Sequence, residues 1–134
     1  MKILCVVCAR KGSTNLKNKN IKLLNNKPLI LHTLIQAQKS KLFSKIVVSS
    51  DSNKILKISK KHINLGINRP ESLSGDTVPK ILAIKHALHK SEQYFRNKFD
   101  IVFDLDVTSP LRKPTDIKKA YNLFIKKKAH MLFS

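Results

Sequence analysis

The sequence lacks tryptophan, has few other aromatic residues, and contains no apolar run that approaches the length of a membrane-spanning helix. Met1 and Lys2 lead directly into an apolar segment typical of a strand, so the N-terminus does not have the pattern of a signal peptide. We therefore expect a cytoplasmic protein with no membrane partner. With 134 residues, the chain is long enough for one domain that buries a substantial core.

Cysteine is also scarce, and the two that occur, Cys5 and Cys8, form a C-x-x-C pair. Both lie inside the predicted strand 3–9, where side chains three positions apart point to opposite faces. A redox pair or a metal clamp needs both thiols on one side. The pattern therefore favours two separate buried thiols.

Acidic residues are few, since 8 aspartates and glutamates face 27 lysines and arginines, for a formal net charge of +19. This charge favours nonspecific polyanion binding and faster capture of a triphosphate. A basic module that binds nucleic acid or another polyanion is one candidate function. However, the lysines are spread along the chain, aromatic residues do not interleave with them, and no RNA- or DNA-binding motif occurs. We expect no specific nucleic-acid partner.

The first thirty residues contain the clearest candidate site. The apolar run Ile3–Ala9 predicts a strand buried on both faces, and it is followed by a polar, cationic segment that contains Gly12 and Ser13. A helical pattern then begins at Pro28. A strand that leads into such a loop is typical of a phosphate site in an α/β protein. A solvated basic loop is the alternative, and composition alone leaves both open.

The rest of the chain alternates between strand and helix patterns, which predicts an α/β fold with a mostly parallel sheet. Asp51 is expected to cap the helix after the second major strand. Arg69 precedes a proline and is therefore held extended; it is either a surface cation or a ligand contact. Strands are predicted at 45–48, near 62–68, at 99–107 and at 129–133; helices are predicted at 29–40, from 55, at 79–94 and at 117–128.

Two carboxylates, Asp104 and Asp106, lie two positions apart and so on one face of the predicted strand 99–107. A carboxylate in an apolar strand is costly unless it is paired with a cation. For Asp106 two alternatives are equally favoured: it binds Mg²⁺ carried by a nucleoside triphosphate, or it pairs with a nearby lysine or arginine. For Asp104 we favour the structural pairing. His86 and His89 are three apart on a predicted helix, where exposed histidines are favoured over a metal site.

The order of several motifs resembles that of the sialic-acid-type cytidylyltransferases, the CMP-N-acylneuraminate synthetases. The shared blocks are A-R-x-G-S at Ala9–Ser13, K-N at Lys19-Asn20, K-P-L-I at Lys27–Ile30, V-V-S-S-D-S at Val47–Ser52, R-P at Arg69-Pro70, D-T at Asp76-Thr77 and T-S-P-L-R at Thr108–Arg112. The form D-L-D-V-T-S-P-L-R is most similar to the branch that handles legionaminic acid. The resemblance implies a Rossmann-like, three-layer nucleotide-diphospho-sugar transferase fold, with residues 1–134 as an incomplete, C-terminally truncated nucleotide-binding domain.

The resemblance also implies a reaction, in which the anomeric hydroxyl of a nine-carbon nonulosonic acid attacks the α-phosphate of CTP and releases pyrophosphate. Mg²⁺ is the implied cofactor, and a homodimer is the implied assembly of the full-length protein. Arg10 and Lys19 are the implied catalytic, phosphate-contacting residues. Asp106 is implied on the sugar or metal side. The implied nucleotide-binding residues are Ala9, Gly12, Ser13, Asn20 and Arg69.

Four departures from the family pattern bear on these expectations. Thr14-Asn15 replaces a Lys-Gly pair, Pro79-Lys80 replaces small hydroxyl residues near the base, and Asp106 replaces a glutamine that faces the sugar. Family members are also longer, and their later segment carries metal-binding aspartates and the dimerisation element. The sugar acid is therefore open, and a CMP-KDO-type synthetase that uses an eight-carbon acid is an alternative. If the chain is instead a basic polyanion-binding module, we expect salt-sensitive binding of DNA or RNA with no preference for CTP.

Overall fold

The computed structural model describes residues 1–10, 23–24, 27–75, 77–105, 107, 114–127 and 132–133. Two short 3-10 turns lie at Lys60–His62 and Glu71–Leu73. The strands are β1 Ile3–Ala9, β2 Leu23–Leu24, β3 Lys27–Pro28, β4 Lys45–Ser50, β5 Leu65–Asn68, β6 Ile101–Leu105 and β7 Leu132–Phe133. The helices are α1 Leu29–Ser40, α2 Asn53–Ser59, α3 Lys80–Phe95 and α4 Pro114–Lys127.

Five strands form one sheet in the order β5-β4-β1-β6-β7, and every neighbouring pair in it is parallel. The two short strands β2 and β3 form a separate antiparallel ribbon. The first strand lies at the centre, and the chain builds outward from it in both directions. This arrangement is a doubly wound, Rossmann-like sheet. The predicted α/β class with a mostly parallel sheet is confirmed.

Helices cover both faces of the sheet, which gives the three predicted layers. On one face, α1, α2 and α4 contribute Ile30, Leu34, Ile55 and Ile117 to a core that also contains alternate residues of β1. On the other face, α3 packs through Ile84 and Ala87 against the remaining residues of β1 and against β4 and β6. A central parallel strand covered on both sides must be apolar throughout, as the run Ile3–Ala9 is.

The two cysteines lie on opposite faces of β1, as the spacing predicts. Cys5 is buried in the core on the α1 side, and Cys8 packs against the core on the α3 side. Both are free thiols. The prediction of two separate thiols is confirmed.

Helix boundaries follow from local backbone preferences, with one correction. Ser52, and not Asp51, is the N-cap of α2, since the Ser52 hydroxyl accepts a hydrogen bond from the amide of Ile55. β4 continues to Ser50, so the first helical residue is Asn53 and the cap falls at Ser52. α1 and α3 each follow a proline and end in a left-handed residue, Lys41 and Arg96.

Within the predicted strands 99–107 and 129–133, the described residues form the strands Ile101–Leu105 and Leu132–Phe133. Asn97 and Asp100, which connect α3 to β6, form hydrogen bonds with Lys2, and the strand begins only at Ile101, later than its composition suggests. Across the described ranges, none of the helices combines the length and apolar character needed to cross a bilayer.

Candidate functional site

The candidate site lies at the carboxyl edge of the sheet, where β1 ends at Ala9. β4 and β6 flank β1 on opposite sides, so the chain reverses its direction of winding at this strand. Ligands of open α/β sheets bind at such a switch point, just outside the carboxyl ends of the strands. Ala9 is aligned with Ser50 of β4, and Arg10 follows it directly at the same edge. Both predicted residues are therefore located where a ligand of this fold binds.

Arg69 is buried, with only 5% of its surface exposed, immediately after the edge strand β5. Its Nε donates to the Ser49 hydroxyl at 3.1 Å, and one terminal nitrogen donates to the Ser49 carbonyl at 2.9 Å. Its backbone amide donates to the Ser50 carbonyl at 2.8 Å. The surface-cation alternative is wrong, because the guanidinium is desolvated and held by two acceptors of one residue.

Arg10 reaches from the end of β1 toward the segment that follows Arg69. Its guanidinium is half-buried, and one terminal nitrogen donates to the backbone carbonyl of Ser74 at 3.5 Å. This long hydrogen bond links the candidate loop after β1 with the turn after β5. Two of the predicted site arginines thus border the same edge of the sheet.

Asp104 is buried on β6, with 1% exposure, and its Oδ2 lies 2.8 Å from the ammonium of Lys80. The Lys80 side chain remains 44% exposed, at the first residue of α3. A buried carboxylate with a cation this close satisfies the requirement for a partner. The predicted structural pairing of Asp104 is confirmed.

Cys8 lies on β1, between Ser49 of β4, which holds Arg69, and Asp104 of β6. It is aligned with Ser49, and it lies two residues beyond Val6, the residue of β1 that is aligned with Asp104. Burial, and secondarily the negative charge of Asp104, raises the pKa of the Cys8 thiol to about 11. Arg69 and Lys80 oppose this shift only in part. The thiol is therefore protonated at neutral pH, which argues against a nucleophilic role.

His86 lies on α3, within the electrostatic reach of Arg69. Burial, followed by the positive charges of Lys90 and Arg69, lowers the pKa of His86 below its ordinary value of 6.5. The imidazole is thus neutral at neutral pH, and a second cation is avoided beside the buried guanidinium. No metal-holding group of three or more His, Cys, Asp or Glu side chains occurs in the described part of the chain, where His86 and His89 both lie.

Five of the predicted site residues lie outside the described residues: Gly12, Ser13, Lys19, Asn20 and Asp106. Their roles stay predictions.

Two residues of the site, Ser49 and Lys80, were missed as functional candidates. A signal for Ser49 exists in the sequence, because polar side chains at the end of an otherwise apolar strand fall at the ligand edge of a parallel sheet. Lys80 was noted only as a departure from the family pattern. Its pairing with Asp104 depends on how α3 crosses the sheet, which the local sequence does not specify.

A doubly wound parallel sheet with two arginines at the edge of its switch point is a typical ligand-binding arrangement of α/β proteins. Residues 4–132 match the family model described as cytidylyltransferase, and the chain belongs to that family. The resemblance drawn from the motifs is therefore confirmed.

Relatives include "Post-translational flagellin modification protein B" of Campylobacter coli, 46% identical over 123 residues, which cover 91% of this chain and 52% of that protein. The "CMP-N,N'-diacetyllegionaminic acid synthase" of Legionella pneumophila is 40% identical over 124 residues, 92% of this chain and 53% of that protein. A solved CMP:2-keto-3-deoxy-manno-octonic acid synthetase complexed with CTP has the same fold, with a TM-score of 0.75 at 20% identity. The match covers 96% of this chain and 49% of that structure. The chain spans about half the length of the curated relatives it matches.

Proposed function

We propose that the chain is the nucleotide-binding part of a cytidylyltransferase that activates a nonulosonic acid with CTP, giving the CMP-sugar and pyrophosphate. The observation that carries the proposal is the buried guanidinium of Arg69, held by Ser49 beside the end of β1 in a chain of the cytidylyltransferase family. A guanidinium fixed in this way is preorganised to donate hydrogen bonds and to stack on a base without an entropic cost at binding.

The reaction needs the attacking hydroxyl and the α-phosphate to be aligned and the charge on the leaving pyrophosphate to be neutralised. We propose that Arg10 and Lys19 contact the phosphates, with Gly12 and Ser13 supplying backbone and hydroxyl donors. Ala9, Asn20 and Arg69 then border the ribose and cytosine, and Asp106 faces the sugar or a metal. The half-buried position of Arg10 at the sheet edge supports its part in this assignment.

Mg²⁺ belongs to the proposal as the cation that accompanies the triphosphate. Magnesium sites of this kind use one or two protein carboxylates together with substrate phosphates. The described residues do not fit a metal cage, because they include no suitable cluster and the carboxylate of Asp104 is engaged by Lys80. We assign no catalytic step to the ion, and Asp106 is its candidate ligand.

For the sugar we favour a nine-carbon acid of the legionaminic type over the eight-carbon acid of a CMP-KDO-type synthetase. Two relatives at 40% and 42% identity carry the legionaminic name, while the solved octonic acid synthetase at 20% identity supports the fold alone. A cytoplasmic location and a homodimer of the full-length protein complete the proposal.

Isothermal titration of the chain with CTP, UTP, ATP and GTP in the presence of Mg²⁺ tests the nucleotide assignment. We expect CTP to bind most tightly, and Arg10→Ala to weaken binding more than Lys85→Ala, an exposed lysine of α3. Equal affinity for all four nucleotides would refute the cytidine assignment. Equal losses in both variants, together with tight and salt-sensitive binding of DNA, would instead favour the basic polyanion-binding module.

A further inference from the structure

Arg69 and Lys80 are joined by a segment that crosses the carboxyl edge of the sheet, and the structure describes it at residues 70–75 and 77–79. We name this the connecting segment. None of its described residues is buried. Its described backbone hydrogen bonds join near neighbours, such as the amide of Ser74 to Glu71 and that of Val78 to Gly75. Such bonds shape turns but do not fix where the segment lies over the sheet.

Both ends of the connecting segment are fixed to the sheet by charged side chains, in addition to the hydrogen bond that Arg10 donates to its Ser74 carbonyl. At the first end, Arg69 is fixed to Ser49 of β4 by the two hydrogen bonds described above. At the second end, Lys80 is fixed to the buried Asp104 of β6 at 2.8 Å. β4 and β6 are the two neighbours of β1, so the segment spans the end of β1 between two charged anchors.

Lys80 occupies an electrostatically unfavourable place in its own helix. It is the first residue of α3, and that turn contains no acidic side chain. A cation there opposes the helix dipole, which favours negative charge at the N-terminus. The attraction of Asp104 offsets this cost. Replacing a buried ion pair by a hydrophobic pair of similar volume often leaves the stability of a core unchanged. The charges of Lys80 and Asp104 therefore contribute a specific geometry rather than stability.

We propose that Lys80 is a positioning residue for nucleotide binding, and that it acts by anchoring the connecting segment to Asp104. Arg10 donates to the carbonyl of Ser74, which lies within that segment. A segment released at its Lys80 end moves this acceptor and loosens Arg10 at the phosphates. The inference rests on the proposed function, since it assigns Lys80 to the same nucleotide site.

The test uses the double variant Lys80→Met/Asp104→Leu, because Lys80→Met alone removes the cation beside a buried carboxylate and risks unfolding the chain. Lys85→Met is the matched control, as it removes the same charge from an exposed position of the same helix. Amide hydrogen exchange is measured by NMR at Ser74 and Val78, with Ala87 in the buried core of α3 as the internal reference. The dissociation constant for CTP is measured on the same samples.

We expect the double variant to keep its thermal midpoint, to exchange about tenfold faster at Ser74 and Val78 but not at Ala87, and to bind CTP about tenfold more weakly. Lys85→Met should match the wild type in all three. Wild-type exchange and wild-type CTP affinity in the double variant would overturn the proposal. Faster exchange at all three amides would also overturn it, since the pair would then act on global stability. The hydrogen-exchange comparison involves no nucleotide. It therefore tests whether the Lys80–Asp104 pair anchors the connecting segment even where the wild-type chain shows no preference for CTP and the proposed function fails.

Discussion

Replacing Ser49 with alanine removes one of the two acceptors that hold the Arg69 guanidinium. The Ser49 carbonyl remains for the terminal nitrogen at 2.9 Å, but the Nε of Arg69 loses its acceptor at 3.1 Å. Because both residues are buried, water does not readily replace the missing hydroxyl. The variant therefore isolates one charged hydrogen bond without removing the charge.

The expected cost follows from the type of bond. A hydrogen bond to a charged group contributes about 1.5–3 kcal/mol, and leaving a buried donor unsatisfied costs a similar amount. We expect Ser49→Ala to lower the free energy of unfolding by about 2 kcal/mol, a sizeable part of the total stability of a domain. For a chain of this size, that loss corresponds to a fall in the thermal midpoint of about 8 °C.

Ser50→Ala is the matched control, because Ser50 is the next residue of the same strand and is also buried. Its hydroxyl accepts a hydrogen bond from the backbone amide of Ser52, a neutral bond at 3.0 Å. Its loss should cost about 1 kcal/mol. Thermal denaturation and CTP titration of both variants give the comparison, and CTP affinity should fall further in Ser49→Ala. Equal changes in both variants would refute the view that Ser49 positions Arg69.

Three further outcomes are expected. Burial raises the pKa of the Cys8 thiol from 9.0 to about 11. Alkylation of Cys8 by iodoacetamide at pH 8 should therefore be about a hundredfold slower in the folded chain than in urea. Equal alkylation rates would contradict the burial of the thiol. The pKa of His86 is lowered in the folded state, so the folded chain binds a proton at this imidazole less readily than the unfolded chain does. The contribution of the neutral imidazole to the free energy of unfolding is therefore present above pH 6.5 and is lost as the pH falls below 6.5. NMR titration of the wild type and of His86→Gln should identify this imidazole, and a pKa at or above 6.5 would be inconsistent with the expectation. Ser52→Ala should reduce stability in urea by about 1 kcal/mol through loss of the α2 cap, and an unchanged urea midpoint would mean that the Ile55 amide finds another partner.

Much of the layered fold could be predicted from local patterns. The apolar run Ile3–Ala9 identifies a strand covered on both faces, and the periodic apolar residues of α1 and α3 identify helices that each bury one side. The cysteine spacing alone predicts opposite faces for Cys5 and Cys8. Such predictions need only nearby residues, because strand and helix geometry determine which neighbours along the chain share a face.

The ends of elements were harder to predict. Asp51 and Ser52 are both good N-cap residues, and the choice depends on how far β4 continues its pairing with β1. β6 likewise begins later than its apolar composition suggests, because the turn after α3 uses Asp100 and Asn97 in hydrogen bonds with Lys2. Hydrogen bonds between distant segments decide such boundaries.

The sequence by itself determined the family, through motifs that occur in order from Ala9 to Arg112, and it determined the alternation of strands and helices and the location of Ala9 and Arg10 at the end of the first strand. Each motif and each element depends on residues that are close together in the chain. Only the tertiary structure decided that Arg69 is buried on Ser49 and that Lys80 pairs with Asp104. With 27 lysines and arginines available, composition cannot select a partner for one buried carboxylate. Strand order and register select it, because they determine which side chains share the low-dielectric space beneath α3, where a charge must be paired.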